Sequence, residues 1–278
     1  MSFCLLSPDL AATVRASAWC RVRSRIKQPF HWWHVYWAMR SLLLLASLAL
    51  TFPQARLTTT DQVLDRYKTA LGGAGAIGNV QSETQHGEIE GTGVNGKLQF
   101  VNYAKPFKSV QHLTLPDGTE IVGGFDGKVS WQIRGGKASI DKETPVESDR
   151  RDADLQYALH QPDYFHNFEF AGVTDFEGRP CYWLHGTTHW GKDNNQFYDV
   201  ETGLLAGYRF QADQADSKTV IVVVFSDYKS FGGPKVATKR IIRAGDQVQT
   251  VILKSISYDP LQDSIFEPPD AVKALMNH

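Results

Sequence analysis

Cys181, His185 and His189 stand four residues apart and carry metal-binding side chains. On a strand, that spacing puts all three on one face. It also separates neighbours by about 13 Å, at roughly 3.3 Å per residue. One zinc ion holds its ligands at about 2 Å, so the trio cannot converge on it. His160 and His166 straddle Pro162 and could meet, but no further Cys or His accompanies them. Asp199 and Glu201 could form a carboxylate pair for acid–base work. They flank Thr202-Gly203, and that setting describes a solvated turn. Acid–base chemistry needs a cleft and a partner that shifts a pKa, and neither is visible here. Asp126-Gly127 between Phe125 and Lys128 reads as a tight hairpin turn. There is no nucleophile elbow, phosphate loop or dinucleotide fingerprint. The expectation is a protein that is not an enzyme, with no catalytic residues, no metal and no cofactor.

Aromatic side chains are the remaining signal. Phe100, Phe125, Trp131, Trp183 and Phe225 recur on successive strand-like segments. They either fill a core or line an apolar cavity of the kind that binds ligands. The second reading makes these five the candidate cavity-lining residues.

The elements that must position them are mostly strands. A cap signal at Thr60 opens the clearest helical spacing, over about 61–71, with Val63, Leu64, Tyr67, Ala70 and Leu71 on one side and Gly72-Gly73 as a stop. A second helix is expected over Arg151–His160, ended before Pro162. Elsewhere the pattern alternates, as in Leu98/Phe100 and Val129/Trp131/Ile133. Turn signals recur at Asn95-Gly96, Pro116-Asp117-Gly118, Glu201-Thr202-Gly203 and Gly232-Gly233-Pro234. About ten or eleven strands with short loops imply antiparallel neighbours. The segments 87–103, 108–133 and 170–258 are expected in one continuous sheet, with the helix at 61–71 packed on it. Val220–Phe225 is apolar on both faces and must be covered twice.

The composition fits a folded domain: 278 residues, 42% hydrophobic and 21% charged. Residues 1–55 hold six basic side chains and one acid, leaving 23 basic and 29 acidic in 56–278. An acidic body is not a general nucleic-acid binder, which needs basic surface to displace counterions. Ser41–Phe52 (SLLLLASLALTF) is uncharged, follows Arg40 and precedes Pro53-Gln54-Ala55. As a helix it would span about 18 Å, short of a bilayer core of about 30 Å. Residues 1–55 therefore read as a leader, a secretory signal peptide whose start could be Met39. A signal-anchor helix in the inner membrane is the alternative. Residues 56–278 read as a single domain. Of the three cysteines only Cys181 lies in it, so it has no internal disulfide.

Five segments occur in order: Thr60–Gly73 (TDQVLDRYKTALGG), Gly123–Trp131 (GGFDGKVSW), Tyr198–Leu205 (YDVETGLL), Asp227–Lys239 (DYKSFGGPKVATK) and Ile256–Pro269 (ISYDPLQDSIFEPP). Together they resemble the LolA/LolB-like periplasmic lipoprotein carriers, the outer-membrane lipoprotein-sorting superfamily, in a divergent form. The resemblance implies a mainly β fold with helices (α+β). Its core is a single open, strongly curved antiparallel sheet, an unclosed barrel, with helices covering the concave side. It further implies an exported, periplasmic carrier or binder of lipid acyl chains or lipoproteins, acting as a monomer. At about 0.8 kcal/mol per buried CH₂, a sixteen-carbon chain would contribute roughly 12 kcal/mol before ordering costs. The alternative is an envelope interaction or sensor module that uses the same sheet to bind a protein partner.

Overall fold

In the computed structural model, residues 56–92, 96–212 and 218–276 are described. The expected leader, with Met39, Cys4 and Cys20, lies outside them.

Thirteen strands form one antiparallel sheet. The first six are β1 (Glu83–Gly91), β2 (Leu98–Lys105), β3 (Lys108–Thr114), β4 (Glu120–Phe125), β5 (Ser130–Arg134) and β6 (Lys137–Ile140). The remainder are β7 (Phe165–Phe176), β8 (Arg179–Thr188), β9 (Asp193–Asp199), β10 (Leu205–Gln211), β11 (Val220–Ser230), β12 (Lys235–Ala244) and β13 (Gln247–Ser257). The spatial order is β6-β5-β4-β3-β2-β1-β13-β12-β11-β10-β9-β8-β7. Two meanders thus run outward from the central β1–β13 pair, and the sheet ends at β6 and β7 without closing.

The strand total exceeds the sequence expectation for two reasons. β6 has only four residues, too few to show a period. β9 reads DNNQFYD, a composition that strands disfavour. Its polar residues are tolerated because they are bonded inside, as shown below.

Helix α1 (Thr60–Leu71) forms as its spacing dictates. Thr59 Oγ1 accepts the N–H of Gln62, and Gly72 at φ +119° ends the helix with its N–H bonded to Thr69 O. Val63, Leu64, Tyr67 and Leu71 then pack on Tyr182, Leu184, Tyr198 and Leu205 of the sheet. The short helix α2 (Ala74–Gly78) follows.

The helix expected at Arg151–His160 is instead two short ones, α3 (Val146–Asp152) and α4 (Tyr157–His160), with a 3-10 turn at Gln161–Tyr164. Asp154 causes the break. One carboxylate oxygen accepts the N–H of Gln156, an Asx-type bond that competes with helical pairing.

This connection also shows that the sheet curls. Asp149 accepts a hydrogen bond from Ser130 of β5, while Gln161 donates to Gln196 of β9. On a flat sheet β5 and β9 would be nine intervals apart, more than about 40 Å at roughly 4.8 Å each. A partly helical stretch of twelve residues cannot reach that far, at about 1.5 Å per helical residue. The sheet therefore curves, and α1, α3 and α4 lie on its concave, inner face. Helix α5 (Asp270–Met276) is the exception. With a 3-10 turn at Asp263–Phe266, it packs Phe266 and Val272 against Val110 and Trp131 on the reverse face.

The doubly apolar strand β11 is covered twice, as its sequence requires. Ile221, Val223 and Phe225 join the inner-face cluster. Val222 and Val224 pack on the reverse face under Phe176 and Phe197, whose rings stack at 4.2 Å. No helix is needed there. Glu177, in the β7–β8 turn, clamps this patch through Arg243 of β12 at 2.8 and 3.1 Å.

Cys181 is fully buried in the same patch. Burial, reinforced by the Asp199 charge, pushes its thiol up to about 11. The thiolate is the reactive form. The native protein is expected to react with a thiol reagent at pH 8 at least about 100-fold more slowly than the urea-unfolded chain. Equal rates in a stopped-time labelling assay would refute the burial.

Candidate functional site

The inner face starts from cross-strand neighbours. Gly87 of β1 pairs with Phe100 of β2, Phe100 with Leu113 of β3, and Leu113 with Ile121 of β4. Across the centre, Val223 of β11 pairs with Ile242 of β12, and Arg240 of β12 lies between Phe225 and Val251. Paired residues share a face. Phe100, Leu113, Ile121, Val223, Ile242, Val251 and Leu253 accordingly form one apolar cluster. Tyr208 and Phe225 pack against both this cluster and the one under α1, in an edge-to-face pair at 5.3 Å. They join the two halves into one apolar surface.

Polar groups are set into that surface. Gln196, fully buried on β9, accepts from Gln161 Nε2 at 3.2 Å and from Tyr198 Oη, and donates to Tyr157 Oη at 3.0 Å. Tyr228 donates to Leu205 O at 2.8 Å. Burial pushes the Tyr157 phenol up to about 12 and those of Tyr198, Tyr208 and Tyr228 well above their ordinary range. All stay protonated, and Tyr157, Tyr198 and Tyr228 act as neutral hydrogen-bonding groups. Glu83 and Arg240, at 8% and 9% exposure, lie on the same surface and feel each other's charge. Burial pushes the Glu83 carboxyl up against the pull of Arg240 and of the Gln85 bond, and burial lowers Arg240. The result is a largely apolar wall with a few convergent polar groups, a composition typical of small-molecule sites. An open cleft of about 220 Å³ borders it at Leu205, Phe225 and Tyr228 and is otherwise lined largely by polar residues, Arg179, Asp199, Thr202 and Asp227 among them.

The five aromatic residues singled out in the sequence divide between the faces. Phe100 and Phe225 share the inner cluster. Phe125 is buried and lies on the same face by alternation with Ile121. Trp131 lies on the reverse face beneath Phe266 and Val272. Trp183 packs against the reverse patch of Phe176 and Phe197, with its Nε1 donating to Asn195 Oδ1 at 2.9 Å.

The residues with metal or acid–base potential also separate. His160 and His166 do not meet, because Asp154 holds His160 Nδ1 at 2.8 Å and His166 instead contacts His189 at 3.2 Å. Asp199 Oδ1 accepts from the backbone of Glu201 and Thr202, and Asp126 Oδ1 from Lys128 and Val129. Both are turn caps. The pattern reading missed Glu83, Arg240, Gln196 and the buried tyrosines. Thr238, Arg240 and Ile242 do alternate as one buried face, but an arginine there reads from sequence as an outward residue.

No family model matches the chain, and no curated protein matches it by sequence. Solved structures do resemble it. A DUF1329 family protein from Desulfovibrio piger superposes with a TM-score of 0.54 at 16% identity, covering 74% of this chain and 96% of its own. A LolA superfamily protein from Nitrosomonas europaea gives 0.53 at 12% identity, covering 77% and 99%. A domain from Vibrio parahaemolyticus, described as an outer membrane lipoprotein-sorting protein domain, gives 0.50 at 10% identity, covering 78% and 97%. Thirteen antiparallel strands in one unclosed sheet, with short helices against it, give this chain the fold of the LolA superfamily.

Proposed function

We propose that the protein is an exported, non-enzymatic binder or carrier of acyl chains, borne by lipids or lipoproteins. The observation that carries this reading is the continuous apolar inner face, joined through Tyr208 and Phe225 and bordered by the cleft at Phe225. An acyl chain would enter past Phe225 and displace side-chain contacts along the Phe100–Leu113–Val223 surface. Phe125 would line the far end of the same face. Burial of methylene groups supplies the affinity, so no strong polar anchor is required. The fold shared with a LolA superfamily protein and the apolar segment Ser41–Phe52 after Arg40 support export to the envelope, with 56–278 as the working domain.

The test uses the full chain. A fluorescent fatty-acid probe should bind saturably and be displaced by unlabelled lipid, and an organic extract of the purified protein should contain lipid by mass spectrometry. Phe225→Glu should weaken probe binding at least about ten-fold. Phe225 is only half-buried at the cleft, so this variant should keep its fold, which circular dichroism checks. A folded protein with no extractable lipid and no probe binding would defeat the reading.

One observation favours a second reading. The inner face is occupied by its own side chains, with Phe100, Val223 and Ile242 each at 5% exposure or less. A filled hollow suits an envelope interaction module that uses the sheet to hold a protein partner.

A further inference from the structure

A separate cleft of about 370 Å³ opens where the β6–β7 connection meets the β2–β3 turn, lined by Phe107, Arg150, His160, Asp163 and Tyr164. A buried carboxylate organises it. The Asp154 side chain is 3% exposed. One of its oxygens accepts from Tyr164 Oη and from His160 Nδ1, each at 2.8 Å, and the other accepts the Gln156 N–H at 2.9 Å. Asp154 accepts in each of these bonds, so His160 Nδ1 is the donor and carries the ring proton. His160 Nε2 is then the ring's remaining polar atom, and it has no protein partner among the described residues. Burial, and then the bond to Asp154, push the Tyr164 phenol far above its ordinary range, so it remains a fixed neutral donor. Asp154, through these three hydrogen bonds, orients its neighbours.

Phe107 forms the opposite wall. It has φ +59°, which a bulky side chain rarely adopts. Its N–H is tied to Ala153 O at 2.9 Å, which fixes the turn against the end of α3. The Phe107 ring thus lies 5.1 Å from the Arg150 guanidinium carbon. Arg150 is exposed and has no carboxylate partner among the described residues. A guanidinium resting on a ring keeps its N–H edge available to an oxyanion in its plane. Asp163, exposed on the same cleft, supplies an acceptor of opposite charge.

We propose that this cleft binds a phosphoester with a neighbouring ammonium or hydroxyl group. Arg150 holds the phosphate, and His160 Nε2 and Asp163 accept from the ammonium or hydroxyl. A phospholipid headgroup and a free phosphoester share this chemistry. The site does not depend on the acyl-chain reading, because a probe without an acyl chain tests it alone.

The probe is O-phosphoethanolamine, titrated calorimetrically into the full-length protein, with inorganic phosphate alongside. Phosphoethanolamine should bind at least about ten-fold more tightly than phosphate. Arg150→Gln should weaken both ligands about ten-fold or more, whereas His160→Gln should weaken phosphoethanolamine and leave phosphate unchanged. Asp163→Asn should bring phosphoethanolamine down to the phosphate level and leave phosphate no weaker. Arg150 and Asp163 are exposed, so those two variants keep the fold even if His160→Gln does not. Binding to nanodiscs of phosphatidylethanolamine above those of phosphatidylcholine assigns the lipid source, and binding of the soluble probe alone assigns the free one. Absence of saturable binding by either source overturns the proposal, as does an isotherm unchanged in folded Arg150→Gln.

Discussion

Arg240→Met is expected to lower the unfolding free energy by about 3–5 kcal/mol at pH 7. Arg240 sits on the inner face between Phe225 and Val251, and Glu83 of β1 is buried within its field. Removing the guanidinium leaves that carboxyl buried with the Gln85 Nε2 hydrogen bond but without its opposing charge. A buried charge without its partner costs far more than the intact pair contributes. The sign of the pH dependence follows. Burial already raises the folded-state pKa of Glu83, and losing Arg240 removes a lowering influence. A raised pKa contributes stability that is fully present below the unfolded carboxylate value. That stability is lost as pH rises through the folded value. The deficit of the variant should therefore be small near pH 4 and large at pH 7, by urea unfolding at each pH. Adding Glu83→Gln should recover more than half of it. A loss below about 1 kcal/mol at pH 7 would show that the two groups are not coupled.

Gly87→Val is expected to cost more than about 3 kcal/mol and to abolish acyl-probe binding in whatever protein remains folded. A Cβ at position 87 would lie 2.3 Å from Ile252 O and 2.4 Å from Cε1 of Phe100. The carbonyl belongs to the β1–β13 ladder and cannot yield without breaking it. Cε1 and Cζ of the Phe100 ring lie over Gly87, and the ring would have to leave the inner face. Gly123→Ala on β4 is the control, because its nearest neighbour stands at 3.4 Å, ordinary contact. It should change the thermal midpoint little. Equal midpoints for both variants would contradict the packing described for Phe100.

Local features were legible in the residues alone. The α1 stripe and its Gly72 stop lie within one short window, and so do the Asx caps of the hairpin turns at Asp126 and Asp199. Short turns between alternating segments force antiparallel neighbours, and one antiparallel sheet followed. The five ordered segments pointed to the family whose fold the solved structures share. Tertiary structure alone decided the rest. Alternation tells which residues share a face within one strand, but not which face of the next strand continues it. Register across each turn settles that, and it put Trp131 and Trp183 behind the sheet while Phe100 and Phe225 stayed in front. Polar residues mislead in the same way. Gln196 and Arg240 look like surface residues in sequence, yet each is buried beside groups from elsewhere in the chain: the hydrogen-bonded Gln161 and Tyr157 for the first, the opposite charge of Glu83 for the second. The cost of burying such groups is offset only by partners that the curled sheet and its crossing segment bring together, and no local pattern encodes that meeting.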